Sequence, residues 1–203
     1  MEIKTIAVIG AYTTGQAFAQ ASALAGYATV FEDVSREMLE RGIAAVTRAL
    51  EEAVTRGELS AHEQAEALTR IVPIVGVEQA IRDADLIIEA VPEELEMKLE
   101  MFTIFDKFAK PGAIFASTTQ TLSVLDLSDV TVYRDRCIGM RFCEGREPGA
   151  RFSGSSNPVA LNRTCIELVA TKLSSPETIA ACRAVAYRLA TEVRLVPDFI
   201  SAS

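Results

Sequence analysis

Histidine is nearly absent from this 203-residue chain, cysteine is sparse, and basic residues are outnumbered. His62 is the only imidazole available for any acid–base role. Lysine and arginine total 20 against 28 aspartates and glutamates, a net charge of −8. A nucleic-acid surface needs clustered basic residues, so nucleic acid is excluded as a partner. No stretch approaches the ~18 uncharged apolar residues of a membrane span, so no membrane partner is expected. The opening MEIKTIAVIGAY lacks the basic start and small-residue cleavage site of a signal peptide. Cys137, Cys143, Cys165 and Cys182 fit neither close-spaced metal ligation nor a small disulfide scaffold. They read as reduced thiols of a cytoplasmic protein, and no metal site is expected.

Hydrophobic residues make up 49% of the chain and charged residues 24%, which indicates an ordered globular protein of one domain, residues 1–203. Short β-branched runs alternate with amphipathic stretches. Strands are expected at 4–10 (KTIAVIG), 28–34, 71–77, 84–91 (ADLIIEAV), 113–119, 137–143, 166–171 and 194–197. Helices are expected at 14–26, from 35 to 56, from 60, at 94–108 and from 175. Leu39, Ile43, Val46 and Leu50 recur on one helical face, and Ser60 with Glu63 has the form of a capping box. Met97, Met101, Phe102, Phe105 and Phe108 lie at helical spacing and read as core. Continuous apolar strands between helices imply a parallel sheet covered on both faces. The expected fold is therefore α/β: a Rossmann-type doubly wound, mostly parallel sheet with a helical hairpin inserted at 35–70. Strands 4–10 and 84–91 should be central. Residues 144–162, rich in Gly, Ser, Pro and Arg, read as one long mobile loop.

Between the first strand and first helix stands Gly10-Ala11-Tyr12-Thr13-Thr14-Gly15. A dinucleotide loop has the form G-x-G-x-x-G, with the middle glycine admitting the pyrophosphate to the backbone. Here the outer glycines are in place and the middle one is Tyr12. Asp33 follows about 20 residues on, where a carboxylate bonds an adenosine ribose and repels a 2′-phosphate. NAD is the cofactor this pattern favours, with Tyr12 standing in the pyrophosphate path. The bland reading of the same glycines is packing alone.

These residues, with others, resemble the N-terminal domain of 3-hydroxyacyl-CoA dehydrogenases. The opening IGAYTTGQAFAQ resembles the family's I-G-A-G-x-M-G-x-G-I-A-Q. DLIIEAVPEELEMK, ASTTQTL, DRCIGMRFC and Ile166-Glu167-Leu168 resemble four further family segments. The resemblance implies a Rossmann domain, NAD as cofactor and acyl-CoA or another acyl thioester as ligand. It implies cofactor contacts from Gly10 through Gly15 and from Asp33, Ala90, Val91, Glu93, Lys98 and Thr118. It also implies loss of the chemistry. The catalytic histidine position is Arg141, the substrate-binding serine is Gln120, and the motif's asparagine is Thr118; the partner carboxylate, Glu167, remains. Family members continue into a helical domain that completes the acyl site and most of the dimer. The expectation is that this chain, ending at Ser203, lacks it.

Oxidising a secondary alcohol by hydride transfer needs a base with a pKa near 7. Arginine stays protonated and cannot serve. Arg141 and Glu167 should form an ion pair, and His62 reads as a solvated surface residue. Cys143 and Tyr133 are the conceivable substitute bases. Arg146 and Arg151 read as a solvated loop or as contacts to an anionic ligand. The expected function is a degenerate, NAD-binding dehydrogenase-like domain without normal activity. The alternatives are an active oxidoreductase of 3-hydroxyacyl thioesters with a relocated base, and a non-catalytic interaction or regulatory protein. A homodimer is expected from the uncovered apolar face, including residues 197–201.

Overall fold

A computed structural model describes residues 2–143 and 165–198. The expected loop at 144–162, with its mobility and its Arg146 and Arg151, lies outside the described residues, as do positions 199–201.

β1 (Thr5–Ile9) leads through the glycine loop to α1 (Thr13–Leu24), then β2 (Ala28–Glu32). The inserted hairpin is α2 (Arg36–Thr55) and α3 (Ala61–Arg70). Ser35 caps α2, and Ser60 and Glu63 close the expected capping box on α3. β3 (Ile71–Ile74), α4 (Val77–Ile81), β4 (Leu86–Glu89), α5 (Leu95–Phe108), β5 (Ile114–Ser117) and α6 (Val124–Ser128) follow. A single 3-10 turn at Arg134–Arg136 precedes β6 (Cys137–Cys143), then β7 (Cys165–Ala170), α7 (Pro176–Leu189) and β8 (Glu192–Pro197). The expected strand at 71–77 ends early, at Ile74: Gly76 turns the chain with φ of 109° and α4 begins at Val77.

Among the described residues eight strands form one sheet in the order β3-β2-β1-β4-β5-β6-β7-β8. Pairing is parallel from β3 to β6 and again between β7 and β8; β6 and β7 are antiparallel. β1 and β4 are central neighbours, as their unbroken apolar runs require, and β4 is buried along its whole length. One core, around Phe18, Phe31 and Leu50, lies beneath α1, α2, α3 and α7. The other holds Phe102, Phe105 and Phe115 beneath α4, α5 and α6. Met101 joins it, whereas Met97 and Phe108 are only half-buried.

The cysteine expectation is corrected. Cys143 and Cys165 face each other in the β6–β7 ladder with Cα atoms 5.0 Å apart and are joined by a disulfide. Strand register, which cysteine spacing does not reveal, brings them together. Cys137 and Cys182 are free and buried, and burial pushes each thiol up to about 12.

Candidate functional site

The C-terminal ends of β1, β2 and β4 open onto a cleft of about 380 Å³. Its walls include Gly10, Tyr12, Val91, Pro92 and Met97. Gly10 has φ of 105°, and a Cβ there would lie 2.7 Å from the Ala90 carbonyl oxygen. At Gly15 a Cβ would strike the Gly10 carbonyl oxygen at 1.8 Å. Both glycines are therefore demanded by the crossing of loop, helix and β4. Tyr12 is different: its backbone is extended with φ of −81°, which any residue adopts, so its ring costs the fold nothing. The ring is half-exposed on the cleft wall.

Tyr12 is the N-cap of α1 but gives it no side-chain cap, and the first turn holds no acidic residue. The first amides of the helix have no intrahelical acceptor, and the helix dipole favours an anion there. Asp33 braces the loop, its two oxygens accepting the Ala11 amide at 3.0 Å and the Ser35 amide at 2.9 Å. Each carboxylate oxygen keeps capacity for a ribose hydroxyl. The loop, the helix end and Asp33 fit a dinucleotide.

Behind Val91, which lines the cleft, lies a buried ionic network. Lys98, fully buried, donates to Glu89 at 2.8 Å and to the Val91 carbonyl at 3.2 Å, and lies 3.4 Å from Glu93. Glu89 also accepts the Ser117 hydroxyl at 2.6 Å and the Val91 amide at 2.8 Å. Burial pushes the Glu89 carboxyl up, against the pull of Lys98 and of these hydrogen bonds. Glu93 accepts from the Thr119 hydroxyl and from the Gln120 and Thr121 amides. Partial burial raises its pKa, but these donors together with Lys98 bring it down to about 2. Thr118 is buried beside them, its amide bonded to the Glu89 carbonyl. Ala90 is buried and Val91 half-buried, between this network and the glycine loop.

Arg141 and Glu167 are register partners across β6 and β7. The guanidinium donates from Nε to Glu167 at 3.1 Å and approaches it again from Nη2 at 3.0 Å. Nη1 donates to the carbonyls of Thr119 and Gln120 at 3.3 and 3.2 Å. The expected ion pair is present, and two backbone carbonyls lock it further.

No imidazole is near. His62 is an exposed residue of α3, paired with Glu66. Cys143 is held in the disulfide. Tyr133 precedes the N-terminal end of β6, stacked under Arg136, whereas Arg141 lies toward the strand's other end. Among the described residues no cluster of metal-ligating side chains occurs, and no helix is long and apolar enough to cross a membrane.

Two participants were not singled out from sequence. Glu89 had a readable signal: a carboxylate inside the apolar run LIIEAV must find a buried partner, and Lys98 follows. Glu32, at the end of β2, lies buried in the cleft floor.

Comparison with known proteins adds to this geometry. The family model described as "3-hydroxyacyl-CoA dehydrogenase, NAD binding domain" matches residues 5–197. A probable 3-hydroxybutyryl-CoA dehydrogenase of Bacillus subtilis is 32% identical over 204 residues, covering 99% of this chain and 66% of its own length. A 3-hydroxybutyryl-CoA dehydrogenase of Bradyrhizobium diazoefficiens is 31% identical over 97% of this chain and 62% of its own. The crystal structure of (S)-3-hydroxybutyryl-CoA dehydrogenase from Ralstonia eutropha superimposes with a TM-score of 0.85 at 28% identity, covering 98% of this chain and 65% of that one. The chain thus spans just under two thirds of the length of these relatives.

Proposed function

This chain belongs to the 3-hydroxyacyl-CoA dehydrogenase family through its NAD-binding domain, and from that premise we propose that it binds NAD without carrying out normal dehydrogenation. NAD supplies the hydride acceptor in such chemistry. The residues of this chain toward it are the α1 amides for the pyrophosphate, Asp33 for the ribose, and Glu93 for the far end; Lys98, expected from sequence as a direct contact, is fully buried and acts by holding Glu93 and Glu89 in place.

The observation that carries the inactive reading is the Arg141 clamp. A base must accept the hydroxyl proton as hydride leaves. Arg141 is permanently charged, and its guanidinium is engaged by Glu167 and by the Thr119 and Gln120 carbonyls. Gln120 occupies the position where the family carries a substrate-binding serine, and no histidine stands nearby. An acyl-CoA or acyl thioester remains the ligand class on this reading, bound beside Gln120 and Arg141.

Calorimetry with NAD and an acetoacetyl-CoA plus NADH assay test the two halves separately. Binding with no turnover is expected. Turnover in the ordinary range of roughly 1–1000 per second would overturn the inactive reading; no binding would leave an interaction protein.

Two further parts belong to this reading. Among the described strands β8 stands last in the sheet and exposes Leu195, which supports a homodimer testable by light scattering. The cytoplasmic location expected from sequence and the Cys143–Cys165 bridge pull against each other, because thiol buffers keep cysteines reduced in the cytoplasm. Alkylation of thiols at the moment of cell lysis, followed by mass measurement, distinguishes the two.

A further inference from the structure

Glu32 is a buried carboxyl that neither the hydride chemistry nor the ribose contact uses. It ends β2, is 1% exposed, and forms part of the floor of the nucleotide cleft. The walls around it are apolar: Ile9, Val77, Val91, Pro92, Met97 and Met101. Such a slot suits a flat heteroaromatic ring and leaves Glu32 as the polar group that meets the ring's edge. One of its oxygens, Oε1, accepts the Gly76 amide at 3.2 Å. Among the described residues no donor reaches the other, Oε2.

We propose that Glu32 recognises the adenine base of the dinucleotide as a neutral carboxylic acid. Oε2 carries the proton and donates it to a ring nitrogen, while Oε1 accepts from the exocyclic amine. This inference rests on the NAD-binding reading and adds to it how the base is chosen. The Gly76 amide sets the polarity: it holds Oε1 as the acceptor and leaves the hydroxyl on Oε2. Adenine presents the complementary pair, a donor amine beside an acceptor nitrogen. Hypoxanthine presents the reverse pair and would set acceptor against acceptor and donor against donor.

The surroundings favour the neutral form. Burial pushes the carboxyl up to about 7, opposed by the Gly76 hydrogen bond and reinforced by the Asp33 charge. The other titratable groups lining the cleft are Tyr12, Asp33 and Glu100, and no cation is among them. A ring seated over Glu32 removes the remaining water and pushes the equilibrium further toward the acid. Binding adenine nucleotide therefore takes up a proton from solvent once the pH exceeds about 7.

Calorimetric titration of NAD and of ADP-ribose from pH 5.5 to 8.5, in buffers of different ionisation enthalpy, tests this. For the unmodified chain, affinity should fall above pH 7, approaching about tenfold per pH unit, with uptake approaching one proton. Nicotinamide hypoxanthine dinucleotide should bind at least about tenfold more weakly than NAD at pH 6. Glu32→Gln keeps the acceptor and supplies a permanent N–H donor, so its NAD affinity should stay at the low-pH level throughout. Glu100→Gln should keep the wild-type slope. Tight NAD binding that is flat with pH and takes up no proton overturns this inference and leaves NAD binding standing. A pH slope retained in Glu32→Gln also overturns it. Absence of NAD and ADP-ribose binding at every pH removes both.

Discussion

Lys98 has no contact with solvent, yet it carries a charge into the middle of the molecule. It is tolerable there because Glu89, Glu93 and the Val91 carbonyl surround the ammonium. Removing one member of a buried pair leaves the other charge without compensation, which costs about 3–5 kcal/mol. Lys98→Met should lower unfolding free energy by that order in urea titration. Adding Glu89→Gln should recover part of the loss, since a neutral amide still accepts from Ser117. Tyr12 is the opposite kind of residue, demanded by nothing in the fold. If its ring obstructs the pyrophosphate, Tyr12→Gly should tighten NAD binding about tenfold or more, ~1.4 kcal/mol, by calorimetry. Asp33→Ala in that background should weaken it again. Equal affinities for the unmodified chain and Tyr12→Gly would show that the ring stands clear.

At the scale of elements, legibility followed length and continuity. β1 and β4 were readable because uninterrupted apolar runs have no place but the centre of a parallel sheet. α2 and α3 were readable from periodicity and caps. α4 and α6, five residues each, are too short to show a helical period and were missed. The glycine loop, Asp33, Glu93 and Lys98 are contiguous with such elements, so their places in the fold were legible. The ion pair of Arg141 and Glu167 followed from the resemblance, but its two backbone anchors depend on where the turn after β5 lies against β6. Glu32 needed a cleft to give it meaning. Asp198 was hidden for a similar reason: after β8 it caps α6, accepting the Ser123 hydroxyl and the Val124 and Leu125 amides. Asp198→Ala should cost about 1–2 kcal/mol in chemical denaturation, the range of a lost helix cap. An unchanged midpoint would mean that solvent replaces the cap at no cost.

Taken whole, the described residues form an eight-stranded sheet in which β1, β2 and β4 border the cleft and the last two strands run against the first six. The reversal between β6 and β7 lets Glu167 return to Arg141, and Cys165 to Cys143. With the sulfur bridge closed, the chain from Cys143 to Cys165 is a ring, joined once by peptide bonds and once by sulfur. A single cut inside a ring opens it without dividing it. Tryptic cleavage after Arg146 or Arg151 should therefore leave one species of undiminished mass under non-reducing electrophoresis and two fragments once reductant is added. Two fragments without reductant would mean that the thiols are apart in solution. With the bridge in place, an unbroken covalent path still links the glycine loop to β8 after the backbone has been severed, so nicking alone cannot release β7, α7 and β8 from the rest of the molecule.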